Sequence, residues 1–337
     1  MTSGVLEVRG LTKRFPVGGA VRRSSLYAVD DVSFTLEPGH ITALAGESGS
    51  GKSTVARLLA RLYEPTSGSV FFDGRDIAHE HGKRQTLAYR SQVQMIFQDP
   101  FGSLNPVKTV RHHIERPLRI HGIAHGADVE RRVLSLLETV GLVPPKHIAD
   151  KYPHEISGGQ RQRVSIARAL AVEPRVVIAD EPISMLDVSI RIGILNLIAE
   201  LRDQHGLSLL YVTHDLASAR YVADELLVMY AGHIVEQGPV DSVLGEPLHP
   251  YTELLISSVP DARLGERERI EIHRGGQTAA VDPAPGCRFA DRCPISIDIC
   301  SSVTPPLVAA RPGHFARCHV TASASSLREE PHVESIR

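Results

Sequence analysis

Nine residues, Gly46-Glu47-Ser48-Gly49-Ser50-Gly51-Lys52-Ser53-Thr54, combine glycines, a lysine and hydroxyls at the spacing that the phosphates of ATP require. Glycines 46, 49 and 51 let the chain turn successive N–H groups inward, so the loop becomes an anion cradle. The helix expected to start at Lys52 adds its own free N–H groups. Lys52 contributes a positive charge for the β and γ phosphates, and the Ser53 hydroxyl suits Mg2+. A loop that merely turned would have no use for Lys and Ser directly after its last glycine. A second chemical pattern is Val176-Val177-Ile178-Ala179-Asp180-Glu181, an apolar run ending in two acids. An acid at the end of a buried parallel strand lies at the sheet edge where ligands bind, so Asp180 is placed for Mg2+ and Glu181 for orienting or deprotonating a water.

The elements that must position these residues follow from periodicity. Ile41 to Ala45 reads as a buried strand entering the loop, and Lys52 to Leu62 as a helix with Val55, Leu58, Leu59 and Leu62 on one face. Val5 to Val8 and Val29 to Leu36 read as antiparallel strands joined through Gly18 to Ser25, with Ser69 to Phe72 a further strand. From about Leu104 to Leu170 the pattern is helical, punctuated by Pro106, Pro117, Pro144, Pro145 and Pro153. Strands return at Val176 to Ala179 and Leu207 to Val212, separated by a helix around Ile190 to Leu201. A hairpin is expected around Ala231-Gly232, then a helix at Val240 to Leu244. The fold class is α/β.

Composition narrows the function. The chain has 337 residues, enough for one large domain with an appendage, and its 37 basic and 39 acidic residues nearly cancel. Near-neutral charge gives no general attraction to nucleic acid or anionic lipid. The opening MTSGVLEVRGLTKRF lacks the apolar core of a signal peptide, and no stretch approaches the roughly 20 apolar residues that cross a bilayer. The chain is therefore expected in the cytoplasm, reaching a membrane only through a partner.

Ile156-Ser157-Gly158-Gly159-Gln160-Arg161-Gln162-Arg163 resembles the signature motif of ABC transporter ATPases. Further motifs of that family follow: Gln98 in Phe97-Gln98-Asp99-Pro100 resembles the Q-loop, Ser184-Met185-Leu186-Asp187 the D-loop, and His214 in Val212-Thr213-His214-Asp215 the switch histidine. The resemblance covers about residues 5 to 255. It implies a P-loop NTPase core with an antiparallel β subdomain, a helical subdomain at about 98–170, and a nucleotide-binding domain spanning 1–258. It also implies that Ser157, Gly158, Gly159 and Gln160 bind the ATP held by an opposing subunit, that Gln98 contacts Mg2+ and the attacking water, that His214 contacts the γ phosphate, and that Phe15 stacks on adenine, with Tyr27 the alternative. Ile156 stands where Leu is usual, and Ile183 and Met185 where Thr and Ala are commonest. Every charged or phosphate-facing position is intact, so competent hydrolysis is expected.

Gln94 to Pro106 and His249-Pro250-Tyr251-Thr252-Glu253-Leu254-Leu255 are similar to the oligopeptide and dipeptide importer subfamily. That similarity implies two membrane permease subunits, an extracytoplasmic solute-binding protein and a second ATPase, a related chain, with this chain on the cytoplasmic membrane face. Other cargo, such as nickel or an oligosaccharide, stays open, as does a soluble ABC protein acting on nucleic acid. No direct nucleic-acid partner is expected, since neither a second cassette nor a coiled insertion is visible.

All four cysteines lie in a C-terminal extension, about 259–320, as Cys287, Cys293, Cys300 and Cys318, spaced C-x5-C-x6-C-x17-C. Four thiolates can hold a metal in a reducing compartment, and a small extension would gain from such a staple. The resemblance implies a 4Fe-4S cluster, with Zn2+ or no metal the alternatives. Residues 321–337 are polar and expected to be disordered. His112, His113, His121 and His125 are expected on a solvated helical surface.

Overall fold

The computed structural model describes residues 5–18, 24–80, 82–258 and 280–321, so the expected terminal tail beyond Thr321 and all of the 259–279 stretch lie outside the described residues. Strands β1 (Leu6–Val17) and β2 (Ser24–Leu36) are longer than the alternation suggests and pair antiparallel, Leu6 opposite Leu36 and Val17 opposite Ser24. β3 (Ile41–Ala45) enters the nucleotide loop, and α1 (Lys52–Leu59) leaves it. α1 stops earlier than expected because Arg61 adopts a left-handed φ of 53°, which leaves Leu62 exposed rather than on the buried face. β4 (Ser67–Phe72) and β5 (Arg75–Asp76) complete a four-stranded antiparallel sheet in the order β2-β1-β4-β5.

After α2 (Lys83–Gln92) comes β6 (Val93–Ile96), a short core strand that the periodicity did not suggest. The helical block holds α3 (Pro100–Ser103), α4 (Val110–Ile120), α5 (Asp128–Thr139), α6 (Pro145–Ala149) and α7 (Gly158–Leu170). Pro117 does not punctuate the chain as expected; α4 runs through it, with Ile114 and Leu118 fully buried. Only the His113 carbonyl loses an intrahelical donor, and burial of the apolar face outweighs that loss. His113 itself departs from expectation: it is buried, its Nε2 lies 3.1 Å from the Asn105 carbonyl oxygen, and burial lowers its pKa. His112 is exposed on α4, as expected, whereas His121 caps the end of α4 half-buried and His125 is exposed in the connection before α5.

β7 (Val176–Asp180), α8 (Val188–His205), β8 (Ser208–Thr213), α9 (Leu216–Val222), β9 (Glu225–Tyr230), β10 (His233–Pro239), α10 (Val240–Gly245) and α11 (Pro250–Ser257) follow. The extension adds β11 (Val308–Arg311) and β12 (His314–Ala316). These join the main sheet, an eight-stranded one in the order β11-β12-β10-β9-β3-β8-β7-β6, parallel from β9 to β6. The extension also touches the other sheet, through a bridge between Leu26 and Val281. Its low periodicity concealed both attachments.

The parallel strands are buried on both faces, as their continuous apolar runs require. Alternation sorts their side chains into two cores. Val177, Ala179 and Leu209 pack with Ile114, Leu118 and Leu137 of the helical block. Val176, Ile178 and Leu210 pack with α1 and the antiparallel sheet, including Leu6, Val29 and Val55. Among the described residues no helix is long and apolar enough to cross a membrane.

Candidate functional site

Four neighbouring parallel strands, β3, β8, β7 and β6, end on one edge, so the segments after them meet there. β3 delivers the Gly46–Thr54 loop. Gly46, Gly49 and Gly51 take φ values of 152°, 81° and 112°. A Cβ on Gly46 would lie 2.2 Å from the Met229 carbonyl oxygen, and one on Gly51 would lie 2.1 Å from that of Ala28. Both positions therefore require glycine for space, and Gly51 also for conformation.

Lys52 is buried, and its Nζ donates to the carbonyl oxygens of Gly46 and Glu47, each at 2.8 Å. Burial lowers its pKa, while Glu181, Asp180 and Glu47 oppose that fall. The ammonium thus sits at the mouth of the cradle with its charge little dissipated by solvent. The Ser53 hydroxyl donates to Asp180 Oδ1 at 3.0 Å. Asp180 is buried, and burial raises its carboxyl pKa against the pull of that hydrogen bond. A hydroxyl and a buried carboxylate side by side fit a hard cation such as Mg2+, which takes oxygen ligands and would relieve the carboxylate's desolvation.

β7, β6 and β8 bring Glu181, Gln98 and His214 together. The Glu181 backbone is in the left-handed region, φ 46°, held by its N–H donating to the Val212 carbonyl at 2.9 Å. Gln98 Nε2 donates to Glu181 Oε2 at 2.8 Å, and His214 Nδ1 lies 3.2 Å from Glu181 Oε1. Both carboxylate oxygens are thus oriented by neutral or ionisable donors beside Asp180. Such a carboxylate can order a water and accept its proton.

The signature turn is built elsewhere. Ser157 caps α7: its Oγ accepts from the Gln160 N–H at 3.2 Å, and the Ser157 N–H donates to Gln160 Oε1 at 3.0 Å. This capping box leaves Ser157 exposed at a helix N-terminus, a surface suited to an anion. Gly159 is required by space, because a Cβ there would lie 2.7 Å from Ile190 Cγ2. In the D-loop, Ile183 is buried while Met185 is 54% exposed, so the two departures from the commonest pattern have different consequences: one packs, the other faces outward. Phe15 packs edge-on against Tyr63, and Tyr27 lies under the Arg14 guanidinium.

The partners of Glu47 lie far from it in the chain and leave no local pattern. Arg292, from the extension, donates to both carboxylate oxygens of Glu47 at 3.1 Å, and the Glu47 N–H donates to Tyr251 Oη at 2.8 Å. The Gly232 N–H donates to the Ser50 carbonyl. The available signal was chemical: a carboxylate inside an anion-binding loop calls for a basic partner.

The four cysteines are free thiols that line one small cavity with His249 and Phe289. Burial raises the Cys287 thiol to about 11 and the Cys293 thiol as well. Among the described residues, however, no three His, Cys, Asp or Glu side chains are grouped so as to hold a metal ion. Four thiols thus converge on one cavity without forming a grouped set of metal ligands.

Comparison with known proteins agrees with this geometry. Residues 29–184 match the ABC transporter family model, and residues 235–300 match the C-terminal region of oligopeptide/dipeptide transporters. The oligopeptide transport ATP-binding protein AppF of Bacillus subtilis is 43% identical over 94% of this chain and 97% of its own length. The probable peptide ABC transporter ATP-binding protein y4tS of Sinorhizobium fredii is 42% identical over 98% and 94%. Among solved structures, a dimeric post-hydrolysis state of the ATP-binding cassette MJ0796 bound to ADP and Pi superposes with a TM-score of 0.63 at 29% identity, covering 70% of this chain and 98% of that one. With its phosphate loop, paired acids and signature turn in the arrangement described, the chain belongs to the ABC transporter ATPases, in the oligopeptide/dipeptide branch.

Proposed function

We propose that this chain is the ATP-hydrolysing subunit of an importer for oligopeptides or dipeptides, working at the cytoplasmic face of a membrane beside a second, related ATPase. The observation that carries the reading is the Glu181 carboxylate, held by Gln98 and His214 next to the Ser53–Asp180 pair. Peptide cargo rests on the C-terminal match and on the named functions of the relatives.

In this reading the loop N–H groups and Lys52 hold the β and γ phosphates, and Phe15 stacks on adenine. Ser53 and Asp180 hold Mg2+ with Gln98 nearby; when bound, the ion neutralises charge on the phosphate oxygens. Glu181 orders the attacking water and takes its proton, and His214 donates toward the γ phosphate. Ser157, Gly158, Gly159 and Gln160 of this chain complete the nucleotide site of the opposing subunit, whose own signature turn completes this one. ATP between two subunits favours a closed pair, and hydrolysis removes the contacts that favoured it. Gln98 passes that change to two permease subunits, which receive peptide from an extracytoplasmic binding protein.

Convergence of four thiols on one cavity favours a further, metal-loaded state of the extension, as an iron–sulfur cluster or zinc. Protein purified without oxygen should carry iron with sulfide, or zinc, in elemental analysis; neither element present would remove that state. The importer reading is tested by purifying the complex from membranes. Two hydrophobic subunits should accompany this chain, and a peptide-loaded binding protein should stimulate its ATPase. Recovery with nucleic acid, or stimulation only by a non-peptide solute, would contradict it.

A further inference from the structure

Glu47 poses an electrostatic problem, because an unpaired carboxylate in the nucleotide loop would repel the triphosphate that the loop binds. The fold answers it from more than 200 residues away in sequence. Arg292 meets both Glu47 oxygens at 3.1 Å, the two-pronged geometry in which guanidinium and carboxylate pair best. Tyr251 Oη fixes the same residue from its backbone N–H. Arg292 is itself held: its guanidinium lies 5.6 Å from the ring centres of Tyr230 and Phe289 and donates to Tyr230 Oη at 3.4 Å. Phe289 is 1% exposed, packs on Tyr230, Tyr251 and His249, and lines the thiol cavity. A continuous packed path therefore runs from the cysteine-rich extension to the nucleotide loop. The neighbouring Arg288 makes a parallel contact, to Asp30 and to the Ala231 carbonyl in the turn whose Gly232 N–H binds Ser50.

We propose that Arg292 is a positioning residue for the nucleotide loop: by neutralising and holding Glu47, the extension sets the affinity of the loop for ATP. The inference rests on the ATPase reading of the Gly46–Thr54 loop and deepens it. Arg292 acts through Glu47, whose two carboxylate oxygens it holds. The charge and the two-pronged geometry matter, so Arg292→Lys should retain part of the effect and Arg292→Met, which keeps the packing stem over Phe289, should lose it.

The test is a titration of the full-length chain with Mg-ATP, together with steady-state ATPase kinetics of the assembled complex. Arg292→Met is expected to raise the Kd and KM for ATP about tenfold, leaving kcat within about twofold. Adding Glu47→Gln to Arg292→Met should restore most of the affinity, because the charge that Arg292 neutralised is then gone. An unchanged Kd in Arg292→Met, a loss confined to kcat, or a loss that Glu47→Gln does not relieve would overturn the proposal. So would failure of Arg292→Met to fold, which would make the residue purely structural. If the wild-type chain itself failed to bind Mg-ATP, the ATPase reading would fall instead.

Discussion

Glu181→Gln is expected to lower ATP turnover of the assembled complex by about a thousandfold while changing the affinity for ATP by no more than about threefold. The side chain keeps its size, and its remaining carbonyl oxygen can still accept a hydrogen bond from Gln98 Nε2, which now lies 2.8 Å from Oε2. What disappears is the capacity to take a proton. The left-handed backbone at Glu181 is anchored by its N–H to Val212, and the substitution does not disturb that bond. Binding and chemistry therefore separate: nucleotide should still close two subunits on each other, and the closed pair should persist. Phosphate release by the assembled complex and equilibrium ATP binding check the two halves independently. Turnover within about tenfold of wild type would remove Glu181 from the role of base.

Lys52→Met is expected to weaken ATP binding by about a hundredfold, the loss of roughly 3 kcal/mol of charge-assisted contact with the phosphates. The thermal midpoint should shift by only a few degrees, because two opposing changes meet at this position. Removing a buried ammonium relieves the desolvation that lowers its pKa. It also takes a donor from the Gly46 and Glu47 carbonyls and a counter-charge from Asp180 and Glu181. Nucleotide titration beside a melting curve distinguishes lost affinity from lost fold. Binding within about threefold of wild type would mean that the backbone cradle alone holds the phosphates.

The parts of this site that were legible in sequence are those with a local cause. A glycine loop followed by Lys and Ser, and a strand ending in two acids, are short patterns whose chemistry does not depend on distant contacts. Gln98 and His214 take their roles from the resemblance and Glu181 from its place after an apolar strand, but their convergence on one carboxylate depends on β6, β7 and β8 being neighbours, a matter of sheet order. β6 leaves little trace in the sequence because a four-residue strand shows too little alternation. Leu62 departs from the expected buried face of α1 because periodicity cannot reveal the left-handed turn at Arg61 that ends the helix. Periodicity does not reveal the burial of His113, because the Asn105 carbonyl that satisfies it belongs to a loop before its helix. The extension concealed most. Glu47 and Arg292 pair across the whole cassette, and Glu236, fully buried, accepts hydrogen bonds from the Leu248 and His249 N–H groups while lying 2.7 Å from His314 Nε2. Long-range polar pairs of this kind leave no periodic trace.

The proposed function requires the Ser157 turn of this chain to complete a nucleotide gripped by the phosphate loop of the opposing ATPase, and that subunit's signature turn to do the same here. The direct measurement is a structure of the Glu181→Gln complex trapped with ATP and Mg2+. The expected result places the signature serine of one ATPase subunit about 3 Å from the γ phosphate held by Lys52 of the other. A trapped complex in which that serine instead faces solvent, with each nucleotide enclosed by a single subunit, would contradict the claim.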